Sequence, residues 1–455
     1  MAMARAAGDA REREPLIAPA CWTKAGFREE ALDEGTADSD SSVVFYLLKC
    51  IMGAGGFAIP WAFARMGLVV GMISMCACAV ASCFTLHQLS ALRAQVEAKL
   101  GQRCSTYVDL ARATLGAQGA LVVYCLVVVC SLGVCSAYLV FIASSLCSLQ
   151  VPLASGTVAL ATAAVLLPVV CLGRGLSALT VLAQAGTVAV LLGYGVTMCY
   201  ALMGHGVGAA ASKGGPAGAL ALPSLLAPAD WASAVAGFGP IAFLFLIHFL
   251  AVPIMASSGK SAKQGRFECL VLVAFGIASF INGCFGAVCL VCFQGQVSSI
   301  VINDIAAGTW WLSATKLLLC ADLLCSYPIA FSAGCQVVEK SLEPLLQDRC
   351  LPQAGGGGRT AAADPWRCAV RTGMLLVTVG VAQLHDFGTI ISVVGGFAQV
   401  TMAFVLPPLM HLRLQGASMS QLHQCANGAL ALLGSCLALL VTGTALASAV
   451  QSHAE

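Results

Sequence analysis

LLKCIMGAGGFAIPWAF, residues 47–63, lies inside an apolar run long enough to cross a bilayer, yet it departs from an ordinary spanning helix in three ways. Lys49 sits about two turns into the run, Gly53, Gly55 and Gly56 crowd together, and Pro60 follows. A lysine near a helix centre costs roughly 2.5–3.5 kcal/mol on insertion scales. Glycine and proline weaken the backbone ladder where no water replaces the lost bonds. A segment that keeps all three within a dozen residues has a use for them.

The rest of the chain sets the context. Of 455 residues, 59% are hydrophobic and 10% charged, against about 25% charged in a soluble domain. Mean hydropathy is +0.89. The composition predicts an all-α polytopic membrane protein. A net charge of +2 gives no sign of a nucleic-acid partner. The 23 cysteines mostly fall in apolar runs such as 75–83 and 288–293, where they read as small packing residues. Cys289 and Cys292 form a lone CxxC inside an apolar helix, and the seven histidines lack ligand spacing. Structural zinc sites want four ligands, so no metal is expected. GxSxG and P-loop motifs are missing, and no enzyme is expected.

Windows of about 20 apolar residues place eleven spans near 43–66, 68–90, 117–148, 153–172, 176–203, 229–254, 268–293, 309–334, 368–384, 387–411 and 426–450. The third is long enough to continue as a cytosolic helix. With a cytosolic amino terminus, 19 of the 23 Lys and Arg residues fall in the tail or the inner loops. That asymmetry supports the count and the direction. Residues 1–42 carry nine acidic and five basic residues without an apolar core; they read as a disordered cytosolic tail rather than a signal peptide.

A second odd segment answers the first. GFGPIAFLFLIHFLAVPIM, residues 237–255, also mixes glycine, proline and one polar residue, His248. Five spans separate the start of each. Paired Gly/Pro-interrupted helices at corresponding places in two halves point to a transporter with inverted repeats. Unwound backbone at the midplane exposes N–H groups to a carboxylate and C=O groups to an ammonium group or cation. In a single segment such glycines could merely pack helices, as Gly67 and Gly71 of GLVVG do on the simplest reading.

LLKCIMGAGGFAIPWAFARMG resembles the first span of the amino acid/auxin permease family, which favours G-x-G-[IL]-x-x-[IL]-P-x-A-F. Gly56 and Phe57 stand where aliphatic residues are commoner in that family. The resemblance continues through FLFLIHFLAVPIM (243–255), NGCFGAVCL (282–290) and LLCSYPIAFSAGCQVVEK (323–340), and covers most of residues 43–411. It implies eleven transmembrane helices around a LeuT-type 5+5 inverted repeat, with helices 1 and 6 interrupted. The divisions are then the tail (1–42), a first five-helix repeat (43–204), a second (229–414), and an eleventh helix with a short lumenal or extracellular end (415–455). It also implies secondary active transport of amino acids, with a neutral substrate held by Gly53, Ala54, Gly55, Gly56, Phe243 and His248.

The coupling ion turns on Lys49. Sodium-coupled proteins similar to this one tend to carry asparagine there and Ser/Thr two residues before the span-eight proline. This chain has Ser326 at the second place but lysine at the first, and Leu47-Leu48-Lys49 resembles the proton-coupled branch. A proton is therefore expected over Na⁺. Asp322 lies mid-span, one turn before Ser326 on the same face. In a LeuT-type core, span eight packs on span one and makes Lys49 its natural partner. Lys316 lies about 240° around the helix from Asp322, which disfavours that pairing. A sodium-coupled symporter and an amino-acid-sensing receptor without net transport remain as alternatives. Finally, EREPLI (12–17) fits an acidic dileucine signal through Glu12, Leu16 and Ile17. It would engage a clathrin adaptor and favours an endolysosomal or vacuolar membrane over the plasma membrane.

Overall fold

The computed structural model describes residues 40–101, 104, 106–172, 176–204, 225–228, 230–257, 265–305, 309–350, 365–384, 386–415 and 418–454. Their elements are all helical. The first, α1 (Asp40–Ile51), stops at the glycine cluster. Gly53 is extended at φ −122°, and a 3₁₀ turn over Ala54–Ala58 leads into α2 (Ile59–Met66). Pro60 sits in the first turn of α2, where its missing N–H costs no helical bond. The two halves meet at 45°. Gly67 then reverses the chain at φ 73°, a conformation that a side chain would strain, and α3 (Leu68–Leu100) begins at once.

Helix α4 (Tyr107–Ser148) opens on a reciprocal capping box between Thr106 and Asp109. At Gly116 it kinks, with φ 80° and ψ −165°. The span expected at 117–148 thus starts just past the kink, and the preceding turns form a separate arm. Helices α5 (Ser155–Leu172) and α6 (Leu176–Leu202) follow. The sixth expected span is again broken, into α7 (Trp231–Phe245) and α8 (His248–Ser257), with Leu246 and Ile247 outside both. Asp230 caps α7 by accepting from the Ser233 amide at 2.7 Å.

Beyond α9 (Arg266–Cys292), a short 3₁₀ turn (Val301–Asp304) precedes α10 (Trp310–Cys350). Burial holds the Asp304 carboxyl above the usual carboxylate range, against hydrogen bonds from Ser298 and the charge of Lys316. Helix α11 (Pro365–Leu384) leads to α12 (Phe387–Val393). That helix widens into π-helical turns over Val394–Gln399 and Thr401–Val405 before α13 (Leu406–Gln415). Helix α14 (Gln421–Ala454) closes the chain.

Among the described residues seven helices are long and apolar enough to cross a membrane, and the bent pair α1–α2 makes up to eight. The expected spans at 153–172 and 176–203 correspond to shorter apolar stretches, Ser155–Cys171 and Gly186–Leu202. Helix α11, at the ninth expected span, carries Arg367 and Arg371 in its first two turns and is less apolar. The bundle is inside-out relative to a soluble protein at its edge: Val80, Phe280 and Leu439 are 70–73% exposed, as lipid contact demands. Trp231, Trp310 and Trp311 stand exposed at the starts of α7 and α10, the place of interfacial anchors. Inside, α10 packs on α4 and α6, α2 on α7, and α3 on α9. Both breaks therefore lie in the core.

Candidate functional site

Lys49 occupies the last turn of α1, just before the unwound residues. Its ammonium group donates to both carboxylate oxygens of Asp322 on α10, at 2.7 and 2.8 Å. The Asp322 side chain is 2% exposed and that of Lys49 15%. Each charge has been taken out of water, and the forked contact offsets that desolvation. Ser326, one turn on, donates to Asp322 Oδ1 at 3.4 Å. Gly186 of α6 lies directly beneath the carboxylate, where a methyl group would collide with it. The absence of a side chain at 186 is thus part of how the acid fits. Lys316 does not join this cluster; it is fully buried and donates to Ser148 on α4 at 3.0 Å.

Asp322 also lines a crevice with Ala54 and Phe57 of the unwound turn, Phe141, Val190 and Leu319. The crevice is too narrow to admit a water molecule. Its walls are apolar apart from the paired carboxylate. Phe57 anchors the aromatic packing around it, meeting Phe141, Tyr194 and Phe285 edge-on at 5.0–5.9 Å between centroids.

The glycines of the turn have different surroundings. Nothing lies within 4 Å of where a Cβ on Gly53 would stand. A Cβ on Gly55 would come 2.8 Å from the ring of Phe243 on α7, so the unwound turn of span one packs against the last turn of α7 there. Gly56 faces a buried polar pair: Tyr194 donates to Asn282 Oδ1 at 2.8 Å, and a methyl at Gly56 would strike the Tyr194 hydroxyl. His248 begins α8 and is fully buried. Its Nε2 lies 2.8 Å from Thr85 Oγ1 on α3. Thr85 can send its own proton to the Ala81 carbonyl at 3.0 Å, which leaves its oxygen free to accept from the ring in the Nε2–H tautomer. Nδ1 is buried without a partner.

Sequence reasoning passed over Tyr194, Asn282, Thr85 and Gln399. Asn282 and Gln399 did carry a signal, each a lone amide in an apolar span; Thr85 and Tyr194 carried none. Glu12, Leu16 and Ile17 lie outside the described residues.

Comparison with known proteins bears on this arrangement. Residues 37–450 match the model of the family described as transmembrane amino acid transporter protein. Amino acid transporter ANT1 of Arabidopsis thaliana is 24% identical over 414 residues, 89% of this chain and 90% of that protein. Vacuolar amino acid transporter 3 of Saccharomyces cerevisiae is 25% identical over 405 residues, 84% of this chain and 53% of its own length. Human solute carrier family 38 member 8 is 28% identical over 191 residues, 40% of this chain and 41% of that protein. With nearly the whole helical bundle inside the match, the chain belongs to the transmembrane amino acid transporter family, the amino acid/auxin permeases that its first span resembles.

Proposed function

We propose that this chain is a proton-coupled secondary transporter of neutral amino acids. It works by alternating access around a midplane site at the two breaks. In this reading eleven helices form two inverted five-helix repeats of LeuT type, residues 43–204 and 229–414. The eleventh helix lies in 415–455 and the amino terminus is cytosolic. Backbone at Gly53, Ala54, Gly55 and Gly56 holds the substrate carboxylate, with Phe243 and His248 on the opposite wall. The observation that carries the proposal is the Lys49–Asp322 pair, a fixed ammonium group one turn before the break of span one.

The pair supplies the coupling. While Asp322 is ionised, two hydrogen bonds clamp span one to span eight. A proton arriving on Asp322 removes the charge attraction and lets α1 move relative to α10. Because the clamp is made in one conformation and broken in the other, protonation shifts the balance between them. Lys49 takes the place a bound cation would fill, which argues against Na⁺. Uptake into proteoliposomes under imposed proton or sodium gradients tests this directly. Accumulation driven by protons supports it, and saturable binding without accumulation would mark a receptor instead.

The membrane is proposed to be endolysosomal or vacuolar. Support comes from EREPLI and from the yeast relative, a vacuolar amino acid transporter by name. Changing Leu16 and Ile17 to alanine should move the protein from internal vesicles to the cell surface through loss of adaptor binding. An unchanged distribution would make EREPLI a chance match.

A further inference from the structure

Breaking a helix inside a bilayer frees carbonyl groups that lipid cannot satisfy. In the sixth span the Leu246 amide is the last to reach back, bonding the Ala242 carbonyl at 3.0 Å. The next residue, Ile247, is not helical, so the Phe243 carbonyl has lost its usual i+4 donor. What meets these groups comes from 156 positions along the chain. Gln399 is 3% exposed. Its surroundings fix which way the amide faces, because acceptors surround that end of the side chain. With nitrogen inward it donates to the Ala242 carbonyl at 3.2 Å and the Phe243 carbonyl at 3.1 Å.

The backbone around Gln399 is shaped for this contact. Gln399 closes the first of the two π-helical turns, a rare geometry that re-aims side chains relative to an α-helix. Four residues earlier, a side chain on Gly395 would collide with the backbone of Gly239 and Phe243 in α7. A side chain on Gly239 would in turn meet the backbone of Ser392. Small residues on both sides thus let the two helices touch backbone to backbone, which brings the Gln399 amide within reach. The second π-helical turn is tied down separately, by Tyr107 donating to the Met402 carbonyl at 2.7 Å.

We infer that Gln399 is a positioning residue for the break in span six. Its amide holds the loose end of α7, and the rate of the transport cycle depends on that hold. The dependence of rate rests on the transport reading above; the hold on α7 does not. An amide donor can be released and remade without a change of charge, as a hinge that moves each cycle requires.

The test uses the full-length protein in lipid, comparing wild type with Gln399→Met, which keeps the volume and loses the donor. Two quantities are read: amide hydrogen exchange over residues 243–248, and initial uptake rate against substrate concentration. Loss of a buried hydrogen bond of this kind should speed local exchange by about tenfold. Maximal uptake should fall severalfold with KM little changed, since the substrate's own contacts remain. Gln399→Asn, which keeps the donor on a shorter arm, should recover part of both. Should Gln399→Met fail to reach the membrane, Gln399→Leu is a second apolar replacement that removes the inward donor. Unaltered exchange in a donor-less variant would overturn the positioning role, and faster exchange with wild-type maximal uptake would overturn its link to the cycle. Faster exchange in a protein whose wild type accumulates no amino acid would uphold the hold on α7 and count against transport itself.

Discussion

One turn before the break in span one stands a charge, Lys49, gripped by the carboxylate of Asp322 across 273 positions of chain. At the break in span six the described polar contacts run to uncharged groups. Gln399 meets two carbonyls and His248 meets the Thr85 hydroxyl. The two regions look alike in sequence, each an apolar run interrupted by glycine and proline. Their supports differ in what they respond to. An ion pair is made or lost with a proton, whereas amide-to-carbonyl contacts are indifferent to pH. In the proposed cycle, titration is therefore assigned to span one and a hinge of constant strength to span six.

The largest effects should come from splitting the charge pair. Removing one member of a buried pair costs about 3–5 kcal/mol, because the other is left uncompensated. Asp322→Ala should therefore lower the amount of protein in the membrane, and Lys49→Ala should abolish uptake. Asp322→Asn keeps the shape and one acceptor oxygen; it should lose the pH dependence of uptake while retaining exchange of amino acid for amino acid. Changing Lys49 to Met and Asp322 to Leu together removes both charges and should restore membrane abundance without restoring proton-driven uptake. Recovery of proton-driven uptake in that double variant would make the pair a structural brace only.

Next come the glycines of the unwound turn in span one. Gly56→Ala drives a methyl into the Tyr194 hydroxyl beside Asn282, and overpacking of a tight core costs about 1–3 kcal/mol. Gly55→Val pushes on the Phe243 ring, which can yield. It should leave membrane abundance normal and uptake low. Gly53→Ala meets open space and should be mildest in abundance. Near wild-type uptake by Gly55→Val would return that residue to a packing role.

The smallest effect should come from the neutral side of span six. Thr85→Val removes the only described partner of His248 Nε2. An unmet buried polar group costs roughly 1–3 kcal/mol, so thermal stability should drop modestly. The pH profile of uptake should keep its midpoint. A shifted midpoint would place a titrating group at span six and erase the contrast between the two breaks.

How much of this could be read from residues alone follows from where each signal is stored. Lys49 and Asp322 are visible because charge is rare in apolar runs, and the breaks because glycine and proline are poor spanning residues. Those signals are local. The Tyr194–Asn282 pair and the Gln399 hold depend on contacts between distant helices, 88 residues apart in the first case. Nothing near Gln399 in the sequence announces a π-helical turn. VGGFAQ shows two glycines, and their purpose emerges only when Gly395 lies on the α7 backbone. The count of spans was less legible than the breaks. Helix α11 begins with arginines, one of which pairs with Glu339 at 2.6 Å, so hydropathy alone understates how it packs.

The central claim is that a proton, acting through Asp322 and Lys49, drives amino acid movement. Wild-type protein in liposomes, at fixed pH with an imposed inward proton gradient, should accumulate a neutral amino acid equally well when external Na⁺ is replaced by choline. Dissipating the proton gradient should abolish that accumulation. Uptake that follows external Na⁺ and ignores the proton gradient would contradict the account and leave the Lys49–Asp322 pair without a part in coupling.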